Sequence, residues 1–355
     1  MKNKVCLVHY TSEPGGIELL MPDIINSLQG MLFSVFVIRP SGTDKYNVYN
    51  GMTVSINRGS VNNMVAALRL FRYAAKNRDA IFHGFNTGPL FLLVIRLARI
   101  KKVVYSIRGT VYYNSTFQKA VRKVLWRIAL APDYRIIANS EYSRKVFLEF
   151  LAPWKPKVSV LYNPVNSSRL SFASKKSHEG TFNIIYVGRL VYGKNMDLWL
   201  KTAESIHRVK AGVRFYIYGD GPLKDTLVRQ SVEKGMQDYL FFMGFITDIA
   251  TAYRQADLML FLSGHESFGN APVESILCGT PVITCDIPSM KEIFRDFPIF
   301  MVSQGQSMEA EIIAKLNRLE ELKRMVPEAA KQFRNRFSPE QHMSGLRLIY
   351  GSLHN

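Results

Sequence analysis

DLMLFLSGHESFGNAPVESILCGTPVITCDIPSMKE, residues 257–292, is the stretch on which the reading of the whole chain turns. The apolar run Leu258–Leu262 has the length of a buried strand. A loop follows over Ser263–Asn270, then a helix with Pro272 in its first turn, and Pro281-Val-Ile-Thr284 opens a second strand. Glu266 and Glu274 flank the helix start with seven residues between them. The first hangs in the loop at the strand's carboxyl end and the second sits in the first turn of the helix. In an open parallel sheet that edge is where ligands bind. Helix-start amides favour a phosphate, whereas carboxylates accept hydrogen bonds from sugar hydroxyls. A phosphorylated sugar meets both demands. Taken singly, Glu266 reads as a solvated loop acid and Glu274 as a carboxylate complementing a helix dipole.

The string as a whole resembles the retaining glycosyltransferases of family 4, which have the GT-B fold. The resemblance is carried by Glu266, Phe268, Gly269, Glu274, Gly279, Thr280, Pro281 and Val282. It implies two Rossmann-like α/β domains facing across a cleft, with a terminal helix crossing back to the first. The expected boundaries are 1–168 for an acceptor-side domain, 169–338 for a nucleotide-sugar domain and 339–355 for the returning helix. The polar segment SSRLSFASKKSHEG, 167–180, reads as the linker.

Composition agrees with a two-domain chain. Its 355 residues suffice for two cores, 47% are hydrophobic and the mean hydropathy is −0.02. No run approaches the roughly 18 apolar residues of a membrane span; Leu90–Ile95 is cut by Arg96. The opening MKNKVCLVHY reads as a first strand and is too short for a signal peptide. Cys6, Cys278 and Cys285 make no metal spacing, so reduced thiols and a cytoplasmic protein are expected.

The net charge of +18 is segregated. Residues 1–170 hold 24 Lys/Arg against 8 Asp/Glu, and nine basic residues with no acid lie between Asp79 and Asp133. One half of the molecule therefore faces something anionic: nucleic acid, anionic lipid or a phosphorylated acceptor. Within that half, FQKAVRKVLWRIAL (117–130) reads as a basic amphipathic helix. Val121, Val124, Leu125 and Ile128 share its apolar face, with Trp126 close to it. Packing its apolar face on a core is the commoner fate of such a helix, but it also suits an anionic bilayer surface, and the segregated charge favours the membrane.

Other segments extend the resemblance. Gly15-Gly16 and Glu18 follow the strand Val5–Tyr10, where the family's loop faces donor phosphate and acceptor. His83 ends a strand at 79–83, as does a family histidine near the acceptor site. Arg108, after the strand Lys102–Ile107, stands where many members have histidine. It is read either as a bidentate phosphate ligand or as a surface salt bridge. In the second half, strand Asn183–Val187, Gly188-Arg189 and Lys194 match the family's diphosphate motif. As a leaving nucleoside diphosphate gains charge, Arg and Lys can stabilise it without a metal. Gly219-Asp220-Gly221-Pro222 is similar to another family turn, and the absence of any Gly-x-Gly-x-x-Gly argues against a dinucleotide enzyme.

The resemblance thus implies metal-independent, retaining transfer of a sugar from a nucleotide diphosphate sugar. Arg189 and Lys194 would hold the diphosphate, Glu274 the ribose and Glu266 the sugar, with Gly16 and the backbone of Phe268, Gly269, Asn270 and Ala271 at the donor. Gly15, His83 and Arg108 fall on the acceptor side. No metal and no cofactor beyond the nucleotide sugar is expected. The basic half suggests a lipid-linked glycan acceptor, in surface polysaccharide or lipopolysaccharide synthesis at the inner face of the cytoplasmic membrane. An inactive GT-B scaffold is the alternative. A nucleic-acid-binding protein is a further one, although no recognised nucleic-acid motif supports it.

Overall fold

The computed structural model describes residues 4–10, 20–28, 30–40, 54–109, 115–165, 170 and 181–353. Gly15, Gly16 and all of the expected linker but Leu170 lie outside the described residues. The chain divides into two compact units, Met1–Pro164 with Pro339–Asn355, and Val165–Ser338.

In the first unit the elements alternate in the parallel α/β manner. They run β1 (Lys4–His9), α1 (Leu20–Ser27), β2 (Leu32–Val37), β3 (Ser55–Arg58), α2 (Asn63–Lys76), β4 (Ile81–Phe85), α3 (Gly88–Leu97), β5 (Val103–Ile107), α4 (Thr116–Ala129), β6 (Arg135–Ala138), α5 (Glu141–Leu151) and β7 (Val158–Val160). The sheet order is β3-β2-β1-β4-β5-β6-β7, every neighbouring pair parallel. The inner strands are near-continuous apolar runs because helices cover both faces. Successive side chains serve different cores. Cys6 and Val8 pack with Leu70, Leu92, Trp126 and Phe147 under α2–α5, while Val5 and Leu7 pack with Leu20, Ile24 and Leu346 on the other side. Sequence alternation alone puts the third strand at Thr53–Ile56. The structure has it at Ser55–Arg58, an edge strand whose half-exposed residues carry little apolar signal, in register Ser34↔Ser55.

The second unit repeats the plan with β8 (Phe182–Val187), α6 (Met196–Val209), β9 (Val213–Tyr218), α7 (Lys224–Glu233), β10 (Leu240–Gly244), α8 (Ile249–Gln255), β11 (Leu258–Phe261), α9 (Asn270–Leu277), β12 (Val282–Cys285), α10 (Pro288–Ile293), β13 (Met301–Val302), α11 (Met308–Asn317) and α12 (Leu319–Arg336). The order β10-β9-β8-β11-β12-β13 is again parallel throughout. The strands after β8 add to one side of it and those from β11 to the other, so the winding reverses between β8 and β11.

Helix α13 (Pro339–Gly351) then returns to the first unit. Its buried residues His342, Met343, Leu346 and Tyr350 fall at helical spacing on one face, and the last three join the core beneath β1 and β2. Leu346→Ala empties a fully buried position there. It should cost the first unit about 3 kcal/mol, read as faster amide exchange in β1, β2 and β4 with the second unit unchanged.

Candidate active site

The reversal between β8 and β11 is the place where an open parallel sheet leaves a crevice at its carboxyl edge. The loops leaving these two strands meet. Gly264 N–H donates to Gly193 O at 3.1 Å, and Ser263 Oγ, which donates to His265 O at 3.0 Å, lies 3.4 Å from the same Gly193 carbonyl. Lys194, in the β8 loop, pairs with Glu266 Oε1 in the β11 loop and lies 5.6 Å from the Phe261 ring centroid. Only 20% of the Lys194 side chain and 12% of Glu266 remain exposed, so the pair is largely desolvated. Arg189 is different. It is exposed, and among the described residues its side chain makes no hydrogen bond or ion pair.

Buried polar contacts of neighbouring side chains set the β8 loop. Tyr186 donates its hydroxyl to Arg189 O at 3.2 Å, and Trp199 Nε1 donates to Leu260 O at 2.9 Å. The Gly-Asp-Gly turn after β9 supports the loop from the other side. Leu190 N–H donates to Asp220 O at 2.9 Å, and a Cβ on Gly219 would collide with Gly188 O. That glycine is needed for close backbone approach.

The Phe268-Gly269 pair is likewise structural in its side chains. Phe268 is buried edge-to-face against Phe337, with ring centroids 5.0 Å apart. Gly269 caps α9 in a left-handed conformation at φ 91°, with Met290 against the position of any Cβ. Together they anchor the loop so that the amides of Asn270 and Ala271 begin the helix; Pro272 contributes none. Because α9 starts at Asn270, Glu274 is its fifth residue, in the second turn rather than the expected first. Glu274 is half-buried, and burial pushes its carboxyl above the usual range while the Tyr253 hydrogen bond opposes the shift. Tyr253 donates its hydroxyl to Glu274 Oε2 at 3.0 Å, and Thr280 Oγ1 holds the Tyr253 carbonyl at 2.6 Å. The sequence reading missed Tyr253. No spacing rule links it to Glu274, since it arrives from a separate helix.

In the first unit the structure shows the surroundings of His83 and Arg108. His83 is fully buried, with Nδ1 2.6 Å from the Tyr350 hydroxyl, Nε2 2.7 Å from Ser106 Oγ and the ring stacked on Phe85. Both nitrogens are engaged within the unit, one of them by α13. Arg108 is not a surface cation: 8% exposed, it donates from Nη1 to Asn163 Oδ1 at 2.6 Å and lies over Phe85. His342 Nδ1 donates to Tyr162 O at 2.7 Å, leaving Nε2 to face Arg108 Nη2 at 3.4 Å. Burial first, then the nearby Arg108 charge, holds His83 well below the ordinary histidine range and His342 at about 3. The placing of Trp126 is also corrected. It does not flank the apolar stripe of α4 but lies on the opposite side, buried between Tyr105 and Phe147 at 5.1 and 5.0 Å.

Two sequence models divide the chain along much the same line. "Glycosyltransferase Family 4" matches residues 14–169 and "Glycosyl transferases group 1" matches 167–335. The chain belongs to the group 1/family 4 glycosyltransferases. Among relatives of this family, the O-antigen biosynthesis glycosyltransferase WclY of Escherichia coli is 22% identical over 369 residues, covering 99% of this chain and 98% of the relative. A glycogen synthase of Mycobacterium tuberculosis is 27% identical over 146 residues, and the match spans 41% of this chain and only 35% of the synthase. Among solved structures, Alr3699/HepE of Anabaena in complex with UDP-glucose superposes with a TM-score of 0.82 at 19% identity, over 98% of this chain and 99% of that one. The paired parallel-sheet α/β domains are those of the GT-B fold.

Two measurements check this geometry. Lys194→Met leaves Glu266 desolvated without its partner and should destabilise the second unit by about 1–3 kcal/mol, whereas Lys194→Met/Glu266→Gln should cost less than the single changes summed, in a denaturant double-mutant cycle. The histidines predict a pH effect. Their folded pKa values are depressed, so the unfolded chain binds more protons and stability falls as pH drops below about 6.5. His342→Gln should remove a slope of about 1.4 kcal/mol per pH unit from the unfolding free energies measured by urea denaturation between pH 6 and 4.

Proposed function

We propose that the protein is a retaining, metal-independent glycosyltransferase that moves a sugar from a nucleotide diphosphate sugar to a lipid-linked glycan acceptor in surface polysaccharide or lipopolysaccharide synthesis. The observation that carries this reading is the meeting of Lys194 and Glu266 at the β8/β11 reversal, with exposed Arg189 on the same loop as Lys194. As the bond from the sugar's anomeric carbon to the diphosphate breaks, its electron pair leaves with the diphosphate. Arg189 and Lys194 neutralise the charge that develops there. Glu266, paired with Lys194, accepts hydrogen bonds from the donor sugar. The backbone of Phe268–Ala271 meets sugar or phosphate at the start of α9. Glu274 offers one carboxylate oxygen to the ribose while Tyr253 holds the other. No covalent nucleophile and no resident cofactor enters this scheme.

The acceptor assignment rests on the basic first half and on similarity to an O-antigen enzyme. No helix among the described residues is long and apolar enough to cross a membrane. The reading therefore puts the enzyme on the inner face of the cytoplasmic membrane as a peripheral protein.

A thermal-shift panel of nucleotide sugars in the presence of EDTA tests the donor. One nucleotide family, uridine diphosphate sugars first, should stabilise the protein by about 2.7 kcal/mol at a hundredfold excess over its dissociation constant. The shift should vanish in Glu274→Ala and Arg189→Ala. Tyr253→Phe, which frees the Glu274 carboxylate to turn, should weaken donor binding roughly fivefold. A folded protein that responds to no donor would favour an inactive scaffold.

A further inference from the structure

Helices α2, α3 and α4 lie side by side over one face of the first sheet, and their inner sides fill its core. Their outer sides carry a second set of large apolar residues. On α4, Phe117, Val121, Val124 and Ile128 are exposed, Phe117 by 78%. At about 100° per residue these four fall within about 60° of one another, on the side opposite buried Trp126. Every residue from Ser115 to Arg122, the first two turns of this helix, is exposed. Leu90 and Leu97 of α3, two turns apart, are 60% and 65% exposed. Alongside them on α2 stand Met64, 82% exposed, and Leu68 one turn on. Arg96 of α3 ties the strip together, donating to the Ile128 carbonyl at 2.6 Å at the end of α4.

An outward apolar face of this size marks an interaction surface, and its charge selects the partner. Exposed Arg69 and Arg72 accompany α2, Arg96 and Arg99 accompany α3 and its end, and Lys119 and Arg127 accompany α4. No Asp or Glu occurs between Asp79 and Asp133. A second copy of this chain would bring the same cations against themselves. A surface that is anionic at its headgroups and apolar just beneath satisfies both features, with Lys and Arg stems lying along the apolar layer and their heads in the headgroups.

We propose that the outer face of α2, α3 and α4 docks as a unit on an anionic phospholipid bilayer, its apolar side chains inserted shallowly below the headgroups. This deepens the lipid-linked acceptor reading, on which it rests for its purpose but not for its test. It places the bilayer against one layer of helices rather than against α4 alone.

Sedimentation of the full chain with vesicles tests it, at about 0.15 M salt so that weak surface charge effects are screened. Vesicles of phosphatidylglycerol and phosphatidylethanolamine should bind the protein, and phosphatidylcholine vesicles should bind at least about tenfold more weakly. Replacing Phe117, Val121, Val124 and Ile128 together by Gln keeps every charge and should lower binding at least about tenfold. Leu90→Gln/Leu97→Gln and Met64→Gln/Leu68→Gln should each lower it by about three- to tenfold. All of these positions are exposed, and unchanged circular dichroism confirms folding of each variant. Wild-type binding by all the Gln variants would overturn the proposal in favour of charge attraction alone. Loss confined to the α4 variant would overturn the three-helix face. A dimer that the Gln variants dissociate, with no vesicle binding, would assign the face to a second copy. Vesicle binding needs no nucleotide, so a failed donor panel and a failed vesicle assay remain separate results.

Discussion

The contact on which the carboxyl edge of the second unit's sheet depends is the one between the loops leaving β8 and β11. These strands are neighbours because the sheet winds outward from β8 in one direction and from β11 in the other. That reversal leaves two loops from distant parts of the chain side by side, with no crossover helix above them. Lys194 and Glu266, 72 residues apart, become an ion pair with little water around it. A desolvated pair of this kind is costly to break from one side, which holds both side chains in place. It also keeps a cation and a carboxylate at one point of the edge.

Much of the family-like string around this pair works by packing. Phe268 is a buried anchor against Phe337, Gly269 makes a left-handed cap, Thr280 ties down the end of α8, and Gly219 lets the β9 turn touch the β8 loop. Their common effect is to fix where the backbone amides of α9 and the carboxylates of Glu266 and Glu274 stand. Tyr253 belongs with them, since its hydroxyl fixes one oxygen of Glu274.

The first unit obeys a different constraint, a sheet covered on both faces. Strand alternation feeds one core under α2–α5 and another under α1 and α13. The terminal helix enters the second core with Tyr350 on His83, and His342 beside Arg108. Buried histidines held neutral beside a buried guanidinium are consistent with the cost of adding charge there. On the outside of the same unit, α2, α3 and α4 keep apolar side chains in solvent, set among cations without acids.

The sequence by itself determined the parallel α/β class, the two-part division, and the chemical identity of Arg189, Lys194, Glu266 and Glu274. Apolar runs, breakers and residue spacing are local properties and survive in a linear reading. Only the tertiary structure decided what each polar side chain meets. His83 and Arg108 read alike as ends of strands, yet their partners arrive from residues 106, 163, 342 and 350. Helical periodicity in α4 likewise groups its apolar residues without saying which group faces the core. Packing settled that by burying Trp126 and leaving Phe117, Val121, Val124 and Ile128 outside. Partner choice depends on contacts between segments far apart in the chain, and spacing along it carries no record of them.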